Sequence, residues 1–291
     1  MLLWLSAPAL GGTLLAPLPA VGQLRRDPAV QPVATVHAGD LLLGLGAAWG
    51  ADARFPLSAL TGDLLSAPRV SVAWGMASRV VLEVRGDAYQ VLSVDEAGPS
   101  NVPLDEGVAD GTTADAGDFR IGLLFAPIGS EDGFSAGGRL EVKLPNSDES
   151  KGIGPNTTDF RASLLAGFGR GPWRFTGDVG IGILEAPLES FEQNDVAVYS
   201  AELLYALPGR RARLAVSLDG RASTRGHVPI GTEDLGEVRV GADLRLGPWL
   251  LDADLLAGYA GNTPEWGFGA GLAWSPAGEQ GEVFRRRPPG R

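Results

Sequence analysis

Twenty-four charged side chains occupy the polar positions of segments in which polar and apolar residues alternate, and they are the main candidates for chemistry. Guanidinium, ammonium and carboxylate groups form ion pairs, hold water and interact with charged or polar solutes. Such groups act together only when the chain gathers them on one surface. The twelve basic members are Arg79, Arg85, Arg120, Arg139, Lys143, Arg161, Arg174, Arg211, Arg213, Arg221, Arg239 and Arg245. The twelve acidic members are Glu83, Asp87, Asp118, Glu141, Asp159, Asp178, Glu202, Asp219, Glu237, Asp243, Asp252 and Asp254.

Other chemistry-bearing residues are scarce. The chain has no cysteine, and its two histidines are His37 and His227. This composition offers no disulfide framework, no thiolate or histidine cage for a metal and no cysteine nucleophile, so we expect no metal and no cofactor. The formal net charge of −11 argues against nucleic acid as a partner, because binding to nucleic acid relies on basic side chains that neutralise phosphates.

A period-two pattern would gather the charged groups on one face. In residues 238–246, Val238 and Val240 alternate with Arg239, Gly241 and Asp243. This period places the apolar set on one face of a β-strand and the polar set on the other. Twelve segments emerge, most of them with this phase and most near the ~9–11 residues that a tilted strand needs to cross a bilayer. They are 40–50, 67–76, 79–92, 117–126, 134–144, 158–168, 173–183, 196–207, 211–221, 236–246, 249–259 and 266–274.

The connections between these segments alternate in length. After even-numbered segments they are short, as in Ala77-Ser78 and Gly247-Pro248. After odd-numbered segments they are mostly long, namely 51–66, 93–116, 145–157, 184–195, 222–235 and the shorter 260–265. Outer-membrane barrels have an even number of strands, short periplasmic turns and longer external loops.

The apolar face of the predicted strands needs a cover. No segment after the N-terminus reaches 18 apolar residues, and no helical pattern could supply a second layer. Lipid is the simpler cover, and closure into a barrel removes strand edges that lipid does not tolerate. Aromatic residues such as Trp249 and Tyr259 bracket a strand, as in an interfacial girdle. We therefore predict an all-β fold, a transmembrane antiparallel up-and-down β-barrel of about 12 strands in a bacterial outer membrane, with both termini periplasmic.

The ends of the chain differ from its middle. Residues 2–21 are apolar and uncharged, and Ala20-Val21-Gly22 suits cleavage before Gln23. The tail Gly269-x-x-Leu272-x-Trp274 of the last segment resembles the C-terminal assembly signal of outer-membrane proteins, so the assembly machinery is an expected partner. The predicted layout is a signal peptide (1–22), a periplasmic segment (23–37), a transmembrane barrel (38–276) and a disordered tail (277–291).

The long connections are acidic. They hold seventeen carboxylates against Arg54, Lys151 and Arg225. An acidic mouth would favour cations and could bind divalent ions weakly, whereas the alternative is that these are solvated loops that add solubility. Examples are Asp95, Glu96, Asp105, Glu106, Asp110, Asp115, Glu185, Glu189, Glu192 and Asp195.

One hairpin resembles a known family. The connection Asp148–Asn156, together with the preceding Glu141–Pro145, is similar to the central region of outer-membrane barrels of the MetA-pathway type of phenol degradation, a group of transporters. The resemblance covers that hairpin, and the other strands match only by pattern. It implies a passive barrel for small, hydrophobic or aromatic solutes, and it carries over no binding residue.

Three functions remain open at this stage. The first is a passive channel or transporter for a small-molecule solute. The second is a structural or closed barrel whose lumen is filled by salt bridges, because twelve strands enclose a narrower space than 16–18. The third is an outer-membrane lipid hydrolase that uses Ser223, His227 and Asp234. The chain lacks a Gly-x-Ser-x-Gly elbow, so we expect no enzyme.

Overall fold

A computed structural model describes residues 38–129, 133–188, 192–209 and 211–275. The predictions for 1–22, 23–37 and 277–291 lie outside these residues. Within them the chain forms fourteen strands and two 3-10 turns, Val108–Asp110 and Glu149–Lys151. The strands are β1 Leu41–Phe55, β2 Leu60–Ala77, β3 Val80–Asp87, β4 Gln90–Ala97, β5 Thr112–Asp115, β6 Phe119–Gly129, β7 Gly133–Lys143, β8 Asp159–Arg170, β9 Trp173–Glu185, β10 Gln193–Ala206, β11 Ala212–Ser223, β12 Leu235–Leu246, β13 Trp249–Gly258 and β14 Trp266–Trp274.

Twelve of these strands close into an antiparallel barrel, as the alternation predicted. The order around the ring is β1, β2, β3, then β6 to β14, and β1 pairs with both β2 and β14. Leu45, for example, lies opposite Val70 of β2 and Leu272 of β14. Each strand therefore has two neighbours, and the ring has no free edge.

The ring has two unlike ends. At one end the turns are short, as at Gly171 and Gly247, whose positive φ angles of 61° suit a tight reversal. At the other end lie the long connections. We call these the short-turn end and the long-loop end, and we call the opening of the lumen at the long-loop end the mouth.

Two long connections contain more strand than the sequence analysis assigned to them. Residues 51–66 were expected to be a loop, but β1 and β2 continue to Phe55 and Leu60. Residues 93–116 include the end of β4 and the whole of β5. The predicted segment 79–92 consequently spans two strands. The first half of β2 pairs with β1 on one edge and β4 on the other, so the sheet continues beyond the closed ring. Register shifts in β1 interrupt the strict alternation there and conceal the strand.

A small apolar core lies in this extension. Leu60, Leu92 and Val108 are buried together with Ile153, which comes from the connection 144–158. We call these four residues the mouth cluster. The neighbouring Gly152 has φ +77°, and a Cβ there would lie 2.7 Å from Leu60 Cδ1. Glycine thus allows the connection to approach the sheet closely.

The wall of the barrel has an apolar outside and a polar inside. Burial alternates residue by residue along β8, and the outward Leu164 is 74% exposed. Outward rings meet at both ends, with Trp49 4.8 Å from Trp266 at the long-loop end and Trp173 4.6 Å from Tyr205 at the short-turn end. This inverted arrangement is stable in lipid and unfavourable in water.

Among the residues that the structure describes, no helix is both long enough and apolar enough to cross a membrane.

Candidate functional site

The inner wall of the barrel carries most of the charged set. Thirteen of the 24 are buried, namely Glu83, Arg85, Arg139, Glu141, Lys143, Asp159, Arg161, Asp178, Glu202, Arg239, Asp243, Asp252 and Asp254. Nine are half-buried, namely Asp87, Asp118, Arg120, Arg174, Arg213, Asp219, Arg221, Glu237 and Arg245. Arg79 and Arg211 are exposed, and Arg79 lies in the turn after β2, where it donates to the Pro127 carbonyl at 2.8 Å. The polar phase of the strands explains the placement, since alternate residues of every strand face inward.

A chain of ion pairs follows strands β3, β6, β7 and β8. Glu141 accepts hydrogen bonds from Arg85 and from Arg120, the latter at 3.1 Å. Lys143 lies two residues further along β7 and bridges two carboxylates: its Nζ is 3.1 Å from Asp118 Oδ2 and 3.2 Å from Asp159 Oδ2. Buried charges need such partners, because an unpaired charge in this environment is costly.

Further pairs continue around the ring. Arg213 Nε lies 2.9 Å and 3.0 Å from the two carboxylate oxygens of Asp243. Arg239 is fully buried and donates to Glu237 of its own strand and Asp254 of β13. We call the ion pairs of the inner wall the ionic layer.

Charged residues of opposite walls also line common cavities. Arg85 on β3 and Asp219 on β11 line the same cavity, although these strands are third and ninth in a ring of twelve. Arg221 on β11 and Arg120 on β6 likewise line one cavity. Opposite walls are therefore close enough for long side chains to influence one another, and the lumen is narrow at this level.

One side of the inner wall has almost no side chains. On β1 and β14, the inward positions alternate with outward Leu, Trp and Phe. Most of these inward positions hold glycine or alanine, a repeating pattern that the sequence analysis overlooked. Asp254 of β13 uses the space, since its Oδ2 would lie 3.0 Å from a Cβ at Gly269. These inward residues are Gly44, Gly46, Ala48, Gly50, Gly267, Gly269, Gly271 and Ala273.

At the short-turn end the inner wall becomes apolar. Leu42, Leu250 and Ala273 form one buried group. A second group, with Val81 and Leu124 as its larger members, continues from it through Ala73. The lumen-lining residues were predicted from their charge, so these inward-facing apolar residues were not among them. A solute that moves along the lumen from the mouth would pass charged side chains first and apolar side chains at the short-turn end.

Within the described part of the chain, cavities of about 400, 260 and 110 Å³ lie at the mouth. Arg120 and Leu235 line all three. The largest reaches both walls, because Arg85 and Glu237 belong to its lining. Ile153 also lines it, so the connection 144–158 lies over part of the mouth.

Hydrogen bonds hold that connection in place. Ser58 Oγ donates to the Gly152 carbonyl at 2.7 Å, and Lys151 Nζ lies 2.6 Å from Asp105 Oδ2. The hydrogen bond to Asp105 raises the pKa of Lys151. Hydrogen bonds from the hydroxyl and amide of Ser150 lower the pKa of Asp148. The connection 144–158 thus partly covers the mouth. The interactions of two exposed charged residues, Lys151 with Asp105 and Asp148 with Ser150, help to hold it there.

The hydrolase candidates are not assembled into a triad. Ser223 Oγ donates to Asn194 Oδ1 at 3.1 Å, and Asp234 accepts the backbone N–H of Ser223 at 2.6 Å. Within the described part of the chain no hydrogen bond joins His227 to either residue, and His227 is exposed. No group of three or more His, Asp or Glu among those residues could hold a metal ion.

Comparisons with known proteins agree with the fold. No protein-family model matches the sequence, and no curated protein matches it. An outer membrane channel from Pseudomonas putida F1 superposes with a TM-score of 0.55 at 14% identity, covering 84% of this chain and 97% of that one. The NanC porin superposes with a TM-score of 0.50 at 8% identity, covering 80% and 98%. At such identities the likeness shows a shared fold, that of outer-membrane β-barrels.

Proposed function

We propose that the chain spans a bacterial outer membrane, with its long connections outside and both termini in the periplasm. The outward side chains are apolar and exposed, and lipid covers such a surface where water would not. Short turns at the periplasmic end are the rule for these barrels. The bilayer and the outer-membrane assembly machinery are the partners that this location requires.

The orientation has a direct test. Gly111 lies at the long-loop end, and Gly209 lies in the short connection after β10. An epitope inserted at Gly111 should be labelled on intact cells, while one at Gly209 should be labelled only after the outer membrane is opened. The reverse pattern would show that the barrel is inserted the other way.

Within that membrane we propose a passive channel for small, hydrophobic or aromatic solutes. The observation that carries this proposal is the cavity of about 400 Å³ at the mouth, because it leads from the loops to residues of both lumen walls. The cavity combines apolar groups such as Phe55 and Ile153 with charged ones. Solute pockets have this mixed character, with polar groups that orient and apolar groups that hold.

The rest of the lumen limits what passes. Twelve strands enclose less space than the 16–18 of a porin. The ionic layer narrows that space further, and apolar residues line it at the short-turn end. We therefore expect low conductance and a small size limit.

A closed, structural barrel is the second candidate, and the ionic layer favours it. Arg239 is 0% exposed and Arg139 is 1% exposed, so solvent hardly reaches them. Long paired side chains of this kind could fill the lumen and serve only to stabilise the wall.

Conductance across a planar bilayer distinguishes the two candidates. We expect small, steady currents for the wild type. Larger currents are expected when Leu42→Ser and Leu250→Ser are combined, because these changes hydrate an apolar constriction. Leu164→Ser on the lipid face is the matched control and should leave the current unchanged. Bilayers that stay silent with the wild type and with the double variant would identify a closed barrel.

A further inference from the structure

We infer that the cavity of about 260 Å³ at the mouth binds a small organic carboxylate between the guanidinium groups of Arg120 and Arg221. This names a solute class for the proposed channel and rests on that function only for the claim that the bound solute then crosses. Binding itself requires the cavity alone.

Arg221 has hydrogen-bonding capacity to spare. Its Nε donates to the Glu233 carbonyl at 2.9 Å, and within the described residues it forms no ion pair. Three carboxylates act electrostatically on Arg221, namely Asp159, Glu233 and Asp234, and each is already engaged. Asp159 faces Lys143 at 3.2 Å, and both oxygens of Glu233 accept the backbone N–H of Gly231. The terminal N–H groups of Arg221 are therefore available to a ligand in the cavity that Arg221 lines.

Arg120 approaches the same cavity from β6. It shares Glu141 with Arg85, so two guanidinium groups compete for one carboxylate. Glu141 is almost fully buried, whereas the side chain of Arg120 is 36% exposed. The outer part of the Arg120 guanidinium thus faces the cavity while Glu141 holds its inner part.

Arg120 and Arg221 both line the 260 Å³ cavity. The charge of Asp159 acts favourably on Arg221, and the like charge of Arg120 acts unfavourably on it. An anion placed between them would remove this repulsion and accept hydrogen bonds from both. Guanidinium groups match the planar fork of a carboxylate and can bind it through two parallel hydrogen bonds.

The cavity is also lined by the carboxylates Asp118 and Asp159, which Lys143 holds at 3.1 and 3.2 Å, and by Glu149 and Glu233. Its apolar walls, Phe55, Ile153, Leu184 and Leu235, select for an apolar body. Inorganic phosphate or sulfate would leave these surfaces without a partner. The volume is below the ~300–1,000 Å³ of pockets that hold drug-sized ligands, so a carboxylate with about one ring or a short chain fits.

Isothermal titration of the refolded full chain in detergent tests the site, with benzoate as the probe. Benzamide has nearly the same shape and no charge. We expect saturable binding of benzoate and at least tenfold weaker binding of benzamide. Arg221→Gln should weaken benzoate binding roughly tenfold to a hundredfold, the range for a hydrogen bond to a charged group. The affinity of Arg221→Lys for benzoate should lie between those of the wild type and Arg221→Gln, because lysine keeps the positive charge and lacks the two parallel N–H donors of the guanidinium.

Arg225→Gln is the matched control. Arg225 lies four residues after Arg221, just beyond the end of β11, is exposed, and is 4.0 Å from Asp195; it does not line the cavity. It should bind benzoate like the wild type. Slower migration after heating, seen for every variant, shows that each has folded. Equal affinity for benzoate and benzamide, or an equal loss in Arg225→Gln, would overturn the site.

Conductance separates this inference from the channel proposal. Benzoate binding by a protein that is silent in bilayers would support the site and overturn the channel. Steady currents from a protein that shows no saturable benzoate binding would support the channel and overturn the site.

Discussion

The barrel wall and the mouth cluster bury opposite kinds of residue. In the wall, charged groups such as Arg239 are inside and apolar groups such as Val240 are exposed. In the extension beyond the ring, Leu60 and Ile153 are inside, while Lys151 and Asp105 pair at the surface. The proposed membrane location accounts for this difference, because it places lipid around the wall and water around the extension. Apolar side chains are favourable on a surface that contacts lipid, whereas in water they are favourable when buried.

The largest loss of unfolding free energy should come from replacing a buried charged residue on the inside of the wall. Arg239→Met removes an ion-pair partner of the half-buried Glu237 and of the buried Asp254. Losing one partner of a buried ion pair costs about 3–5 kcal/mol of unfolding free energy. A urea titration of protein refolded into lipid vesicles measures it.

Position 245 supplies the control for that change. Arg245 faces inward on the same strand, is half-buried, and forms no ion pair within the described residues. Arg245→Met should cost far less. Equal losses at both positions would mean that the ionic layer is hydrated and that its pairing contributes little.

The outside of the wall should show the next largest effect, and it should depend on depth. Val240 lies at the middle of β12 and is 56% exposed. Val240→Arg should cost about 2–4 kcal/mol, the cost of arginine at the bilayer midplane. Leu244→Arg, close to the short-turn end, should cost only ~0–1 kcal/mol because the side chain reaches the interface. The same vesicle titration compares them, and equal costs would argue that this face does not contact lipid.

The inside of the mouth cluster should respond like the core of a water-soluble protein. Ile153→Ala should destabilise the packing of the connection 144–158 by about 2 kcal/mol, the lower end of the range for such truncations. Hydrogen exchange of that connection reports the local free energy of opening. Leu188→Ala, at an exposed site on another long connection, should leave exchange nearly unchanged. A loss of vesicle-titration stability without faster exchange would show that the mouth cluster supports the whole barrel.

A substitution at the exposed Asp148 should have the smallest effect on stability, and the size of that effect should depend on pH. Hydrogen bonds from Ser150 lower the pKa of Asp148, so this carboxylate contributes stability above its unfolded pKa of about 3.9. That contribution is lost as pH falls through the lowered value. Exchange of the connection should be slower in the wild type than in Asp148→Asn at neutral pH, and the two should converge in acid. A gap that stays constant between about pH 6 and pH 3 would contradict this.

The strands were largely predictable from local pattern. Val238, Val240 and Leu244 alternate with charged residues, and this local signal located β12 to within a residue. The signal failed where alternation was interrupted. Beyond Gly46 the register of β1 shifts, and the strand that continues to Phe55 was predicted to be a loop. A bulge is invisible to a period-two pattern because it changes the phase by one residue.

The candidate site was predictable only in part. Charge and phase indicated that Arg120 and Arg221 would face inward. Nothing local indicated that these two strands, far apart in the ring, would bring two arginines to one cavity with charged and apolar walls. The inward glycines of β1 and the inward Leu42 also escaped notice, because they carry no charge.

The sequence by itself determined the number of strands in the ring, the inward and outward faces of most of them and the asymmetry between short and long connections, because all three depend on residues near one another in the chain. Tertiary structure alone decided which charges pair across the wall, how narrow the lumen becomes and where the mouth connection lies. Those features depend on ring closure and strand register, which bring together groups as distant as Arg85 and Asp219. Closure is a property of all twelve strands at once, so no single segment encodes it.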